Sequence, residues 1–321
     1  MIDHGGNLDG ARARFGGRLA DWIDLSTGIN RHPYPIPDLS PHHWSALPSQ
    51  SEIESLHEAA HHAYQTTAPL LAMAGAQAAI QLLPRLGPPG RAKILSPTYG
   101  EFCHVLRAAG WEVAAVSDIE ALADADLAVI VNPNNPDGRW HDPGALLALL
   151  PRVGRLVIDE SFIDVTPELS LAPRAGRPGL LVLRSFGKFY GLAGLRLGFV
   201  LGCEADIAAL AGMAGPWPVS GVAIEVGRRA LLDRQWANET RARLVGDAAR
   251  LDELARGTGW ELIGGTPLFR LYEAGVGLLA QERLAGAQIW SRVFNDRPSW
   301  LRLGLPGDEA EWQRLAAALA R

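Results

Sequence analysis

Residues 185–196 read SFGKFYGLAGLR, which sets one lysine, Lys188, three residues after Ser185 and eight before Arg196. Two short apolar runs flank the stretch, GLLVLR at 179–184 and LGFVLG at 197–202, and each reads as a buried strand. A lysine in apolar surroundings gives up its proton more easily, because desolvation disfavours the charged form. A neutral amine is what Schiff-base formation with a carbonyl requires. A serine hydroxyl and an arginine fork can together hold a phosphate, and glycines at 187, 191 and 194 let the backbone approach something bulky. Lysine and phosphate site together suggest pyridoxal phosphate (PLP). A lone Ser-x-x-Lys reads more simply as a loop whose lysine snorkels to the surface, so the rest of the chain must agree.

Asp159 closes a second apolar run, RLVID at 155–159. In parallel α/β sheets, ligand groups gather at the carboxyl ends of strands. A carboxylate set against a pyridine nitrogen there would keep that nitrogen protonated and make the ring an electron sink. Alone, such an aspartate would read as the cap of the next element. Gly75, Ala76 and Gln77 open a helical pattern directly after the apolar segment 70–74, and the unpaired N–H groups of a helix start bind phosphate.

Positioning these residues calls for alternating strands and helices. Strands are expected at 70–74, 92–96, 112–116, 127–131 and 155–159, with helices at 52–64, 76–86, 99–109 and 143–150. Continuous apolar strands in this alternation give an α/β fold, a mostly parallel sheet with helices on both faces. After about 235 the pattern changes to one long helix at 237–256, short strands at 268–272, 289–294 and 300–305, and helices at 277–286 and 308–320. The expected organisation is an N-terminal arm of 1–50 packing with a small domain and the active site, a large PLP-binding domain of 51–235, and a small α+β domain of 236–321. The 48% hydrophobic and 20% charged fractions are those of an ordinary globular chain. A net charge of −5 gives no electrostatic case for nucleic acid or an anionic membrane. No run approaches a membrane span, and no secretory signal opens the chain. Two cysteines without metal-ligand spacing, Cys103 and Cys203, point to no metal and to a reducing cytoplasm.

The stretch 185–196 resembles the lysine signature of the fold-type-I PLP enzymes, the aspartate aminotransferase superfamily. The resemblance implies that Lys188 binds the cofactor covalently and that Ser185 and Arg196 hold its phosphate. It further implies that Asn135, in the turn NPNNPDG at 132–138, reaches the cofactor's phenolic oxygen, and that Tyr99 stacks on its ring. Two positions depart from the pattern. Phe162 stands where many members have a tyrosine that donates to the phenolic oxygen, and Leu47-Pro48 where a Tyr-Pro reaches the neighbouring subunit's cofactor.

Within the superfamily the chain is most similar to the threonine-phosphate decarboxylases of cobalamin biosynthesis, through HGGN at 4–7, DLSTGIN at 24–30, RSFGKF at 184–189 and LRLGLP at 301–306. That resemblance implies a small phosphorylated amino acid as substrate and a homodimer. It implies that Arg302 binds the substrate carboxylate, that Arg292 and His4 bind its phosphate, and that Gly28 and Asn30 lie over it. A histidinol-phosphate-type aminotransferase is the runner-up. A non-catalytic binding protein on the PLP fold is a third reading, which the presence of Lys188, Asp159, Asn135, Ser185 and Arg196 opposes.

Overall fold

The structure is a computed structural model and describes residues 5–320; the expected substrate contact His4 lies outside the described residues. The chain divides into two compact units. The larger contains Tyr34–Asn135 and Trp140–Ala237, and the smaller contains the chain up to Pro33, Pro136–Arg139 and Asn238–Arg321. The arm expected as one piece over 1–50 is thus shared between the units, with 34–50 in the larger. The end of the turn 132–138 counts with the smaller.

In the larger unit, seven strands form one sheet in the spatial order Leu70–Met73, Gly198–Leu201, Leu180–Ser185, Leu156–Asp159, Leu127–Val131, Arg91–Leu95 and Glu112–Val116. Every residue of the two strands Leu127–Val131 and Leu156–Asp159 is buried, which is why they read as unbroken apolar runs. Val129, Val157 and Leu183 pack with Ile80, Phe102 and Leu106 from the helices in one apolar core. Helix Gln50–Tyr64 begins in a capping box, with Ser49 and Glu52 bonding each other's backbone N–H.

One strand runs against the rest. Gly198–Leu201 is antiparallel to both its neighbours, with Gly198 opposite Ser185 on one side and Met73 on the other. The start of the reversed strand therefore lies between the ends of two forward strands. Segment 186–197 and the residues following Met73, Leu95, Val131 and Asp159 consequently emerge at the same edge of the sheet. Gly198 is required there, since a Cβ would come within 2.5 Å of Ala76 N and 2.8 Å of Arg184 O.

The smaller unit has a four-stranded antiparallel sheet in the order Arg292–Phe294, Arg297–Gly304, Phe269–Glu273 and Glu261–Thr266. A two-stranded parallel ladder joins Ile23–Asp24 to Ile289–Trp290. Helix Leu8–Phe15, in a segment that shows little periodicity, holds on through Ala11, which packs with Trp22 and Ala285. Among the described residues, no helix is long and apolar enough to cross a membrane.

Candidate active site

Lys188 sits on a one-turn helix, Phe186–Phe189, that begins where strand Leu180–Ser185 ends. One turn of helix has little stability of its own, and aromatic packing supplies it. Phe186 stacks on Tyr190 at 4.3 Å between ring centroids, and Tyr190 stacks on Trp236 at 5.5 Å. Phe189 meets both Tyr190 and Trp236 edge-on. The Lys188 amine lies 5.8 Å from the ring centroid of Phe162. The residue lacking the family's hydroxyl is therefore a close neighbour of the amine. The chain's 30 basic residues include only one other lysine, Lys93, whose amine donates to Ala121 O at 2.9 Å and Ala123 O at 2.6 Å.

Asp159, at the end of the neighbouring strand, is 3% exposed. Burial pushes its pKa up, opposed by hydrogen bonds from Ser161 and by the positive charge of Lys188. The Ser161 backbone N–H donates at 2.9 Å and its hydroxyl donates as well, both to Oδ1. A buried carboxylate with its bonds on one oxygen suits a cationic donor at the other.

The opposite end of the cradle is built around Gly75, which has φ +79 and caps helix Ala76–Leu82. A Cβ on Gly75 would lie 2.7 Å from an Arg196 guanidinium nitrogen, so the arginine lies directly over this turn. Arg196 itself adopts a left-handed φ of +55. Among the described residues, its guanidinium makes long bonds, 3.3 Å to Ala193 O and 3.5 Å to Ala74 O. The Ser185 hydroxyl does not cap the helix it precedes. The N–H groups of Ala76 and Gln77 fall in the first helical turn, where no intrahelical acceptor exists. The Gln77 side chain is committed elsewhere, donating to Glu101 and accepting from the Tyr99 hydroxyl at 3.2 Å.

The three asparagines after Val131 divide by environment. Asn132 exchanges hydrogen bonds with the backbone of His141. Asn134 accepts from Thr98 Oγ1 at 2.7 Å and donates to Pro97 O at 2.9 Å, tying this turn to the one that carries Tyr99. Asn132 and Asn134 are both buried, while Asn135 is partly exposed. The two buried ones hold the turn, and Asn135 is more exposed than either.

The smaller unit gathers a separate, cationic group. Arg302 and Arg292 are cross-strand neighbours. Arg302 is buried, donates from Nη2 to Ser26 O at 2.7 Å and lies over the Phe269 ring. Burial first, and the Arg292 charge second, bring its pKa down to about 9, with Asp24 opposing. It remains a cation at neutral pH, and an anion set against the pair would offset that electrostatic cost. Asp24 shapes the loop by accepting from the Ser26 N–H and hydroxyl. Asn30 Oδ1 accepts from His32 N at 3.0 Å and from Arg243 at 2.9 Å, and Gly28 is buried between Ser26 and Asn30. Arg243 is a member of this group that the sequence hides, because it sits in the middle of the long helix Arg234–Gly257.

The donor set of the larger unit fits a phosphate-bearing pyridine aldehyde. The Gly75 turn has room only for a bare backbone under a guanidinium, a desolvated carboxylate ends strand Leu156–Asp159, and the strand that leads to the Ser185 hydroxyl and the Lys188 amine runs between that strand and Gly198–Leu201. Comparison with known proteins agrees. The aminotransferase class I and II family model matches residues 21–319. A threonine-phosphate decarboxylase from a Sinorhizobium species is 46% identical over 100% of this chain and 98% of its own length. One from Pseudomonas aeruginosa is also 46% identical, over 99% of this chain and 97% of that relative. Among solved structures, histidinol-phosphate aminotransferase from Sinorhizobium meliloti in complex with pyridoxal-5'-phosphate superposes with a TM-score of 0.83 at 20% identity, covering 97% of this chain and 93% of that one.

Proposed function

We propose that this chain, which belongs to the class I and II aminotransferases, is a PLP-dependent lyase that removes carbon dioxide from L-threonine O-3-phosphate. The product is (R)-1-aminopropan-2-yl phosphate, the form of aminopropanol that cobalamin biosynthesis takes up. The observation that carries the reading is the pair of full-length relatives at 46% identity, both threonine-phosphate decarboxylases. The paired arginines Arg292 and Arg302 support it, since the substrate bears two anionic groups.

Bound PLP supplies a ring that accepts the electron pair of the bond that breaks at the substrate's α-carbon. Lys188 would hold the cofactor through its ε-amine and would carry a proton to the substrate's α-carbon. Asp159 would hold a proton at the ring nitrogen. Ser185, Arg196 and the N–H groups of Gly75, Ala76 and Gln77 grip the cofactor phosphate. Asn135 and Tyr99 would complete the hold on the cofactor, Asn135 through its side-chain amide and Tyr99 through its ring. Arg302 binds the substrate carboxylate, Arg292 with His4 its phosphate, and Gly28 and Asn30 line the loop above. The orientation these groups give the substrate decides the reaction. Which bond at the α-carbon these groups present would decide whether carbon dioxide or the α-hydrogen is lost, the second outcome leading to amino transfer.

Product analysis tests the reading. Purified, PLP-loaded protein given threonine O-3-phosphate and no keto acid is expected to release carbon dioxide and aminopropanol phosphate in equal amounts. No release, with amino transfer from glutamate to imidazole-acetol phosphate instead, would replace the lyase by a histidinol-phosphate-type aminotransferase.

The reading includes a homodimer in the cytoplasm. Ile36, Trp44 and Leu47 of the larger unit are 70%, 71% and 64% exposed, a run of large apolar side chains that favours cover by a second copy. Light scattering on a gel-filtration column is expected to give twice the chain mass; a single chain mass would remove the dimer.

A further inference from the structure

Arg184 and Glu160 adjoin two of the residues assigned to the cofactor, Ser185 and Asp159, and both are buried, at 2% and 0% exposed. Successive strand positions face opposite sides of a sheet, so the two charges lie behind the face that carries Asp159 and Ser185. Arg184 donates from Nη1 to Glu160 Oε2 at 3.4 Å and to Ser170 Oγ at 3.3 Å, and from Nη2 to Asp164. Its guanidinium carbon lies 4.0 Å from the Tyr64 ring centroid. Glu160 also accepts from the Leu171 N–H at 2.6 Å and from the Ser170 hydroxyl. The Glu160 N–H donates to Leu183 O at 2.9 Å, extending the pairing of the two strands by one residue. One guanidinium thus joins the ends of two adjacent strands and the loop 160–172 that carries Phe162.

Two carboxylates share that one cation. Burial pushes Glu160 up to about 7 against the pull of Arg184, Ser170 and Leu171, with Asp164 adding to the rise. Burial opposes the charge on Arg184, but the carboxylates of Asp164 and Glu160 hold it firmly charged. Tyr64, facing the group from helix Gln50–Tyr64 with Tyr190 near it, is kept neutral by burial. Such a group is a poor source of net stability, because desolvation opposes the attraction, but every bond in it fixes a distance.

We propose that Arg184 is a positioning residue for the cofactor, which through Glu160, Asp164 and Ser170 sets the spacing between Asp159 on one strand end and Ser185 with Lys188 on the next. The inference rests on the cofactor reading above. A rigid ring that is gripped at its nitrogen, its carbonyl and its phosphate demands that spacing, and misplacement by about 1 Å is enough to lose most of the benefit. Arg184 and its partners act through the residues beside them.

The test compares Arg184→Lys, Glu160→Gln and Arg155→Lys. Arg155 precedes the opposite end of strand Leu156–Asp159 and pairs with Asp206 at 2.7 Å, so its variant controls for loss of an inner ion pair. Three quantities are read: the dissociation constant of PLP from apoprotein, the absorbance of bound PLP against pH, and the melting temperature. Arg184→Lys keeps the charge but not the fork, and is expected to weaken PLP binding tenfold or more and to shift the absorbance midpoint. Glu160→Gln turns an amide toward donors and is expected to weaken binding three- to tenfold. Arg155→Lys is expected to lower the melting temperature and leave both PLP readouts as in the wild type.

The carboxyl of Glu160 adds a pH signature. Its folded pKa lies above the ordinary 4.5, so the stabilisation is full below about pH 4.5 and is lost as pH rises through about 7. The wild-type melting temperature should fall across that window relative to Glu160→Gln. Folded Arg184→Lys and Glu160→Gln proteins that bind PLP with wild-type affinity and an unchanged absorbance profile would overturn the positioning role. Wild-type protein that takes up no PLP would instead overturn the cofactor reading itself.

Discussion

Replacing Lys188 by Ala is expected to abolish turnover, with a loss on the order of 10⁴-fold or more, because it removes both the covalent hold on the cofactor and the proton carrier. The substitution should leave the fold intact. Lys188 lies on a single helical turn whose position is set by Phe186 stacking on Tyr190, Tyr190 stacking on Trp236 and Phe189 meeting Trp236 edge-on, and none of these contacts involves the lysine. The Gly75 turn, Ser185 and Arg196, proposed above to grip the cofactor phosphate, are untouched, so the variant should still bind PLP, without attachment. Borohydride followed by mass analysis separates the cases: wild-type protein gains the mass of one reduced cofactor on the peptide containing Lys188, and the variant gains none. A Lys188→Ala protein that decarboxylates at even one-hundredth of the wild-type rate would defeat the mechanism.

Asp159→Asn should lower kcat about 10³-fold with little change in KM. Opposite charges about 4 Å apart at an effective dielectric near 20 attract by roughly 4 kcal/mol, equivalent to about three pKa units at the ring nitrogen. Each unit lost costs about a tenfold change in rate if the protonated ring is the electron sink. The substrate's anionic groups are assigned elsewhere, to Arg292 and Arg302, so ground-state binding should be spared. Asparagine keeps the volume and can still accept from Ser161, whose two bonds fall on Oδ1. The carboxylate is buried with its pKa already raised, so removing its charge should leave the melting temperature unchanged or higher. Steady-state kinetics with a melting curve on the same sample check both parts. A kcat within tenfold of wild type, in protein loaded with PLP, would remove Asp159 from the ring nitrogen.

The sequence made the lysine end of the cradle legible because its residues lie close together in a strand, a turn and a strand, and each strand is buried on both faces. Leu127–Val131 was read to the residue for the same reason. Legibility fell where contacts are remote. Nothing local marks Gly198–Leu201 as the reversed strand, since a strand buried on both faces looks alike in either direction. Helices Glu204–Ala214 and Gly221–Leu232 went unread; the first has apolar residues all round and shows no amphipathic stripe. Arg184 reads as the charged end of an apolar strand, and Glu160 as an ordinary residue after Asp159. Their pairing spans 24 positions and exists only because the two strands are neighbours. The assignment of Pro136–Arg139 to the smaller unit is likewise a matter of packing, in which Gly138 and Gly264 allow the backbones to approach closely.

The near absence of lysine has a chemical consequence of its own. A protein that handles an aldehyde cofactor meets that aldehyde free in solution, and each surface ε-amine is a place where it can attach to no purpose. Here almost all positive charge is carried by guanidinium groups, which stay protonated and do not condense with carbonyls. Lys93, the other lysine, has its amine pointed into two backbone carbonyls. Apart from the amino terminus, the chain therefore presents excess aldehyde with essentially one ε-amine address, Lys188, the one proposed to hold the cofactor. Stray adducts and glycation by sugars should be correspondingly scarce, and covalently trapped cofactor reads active-site occupancy almost without background.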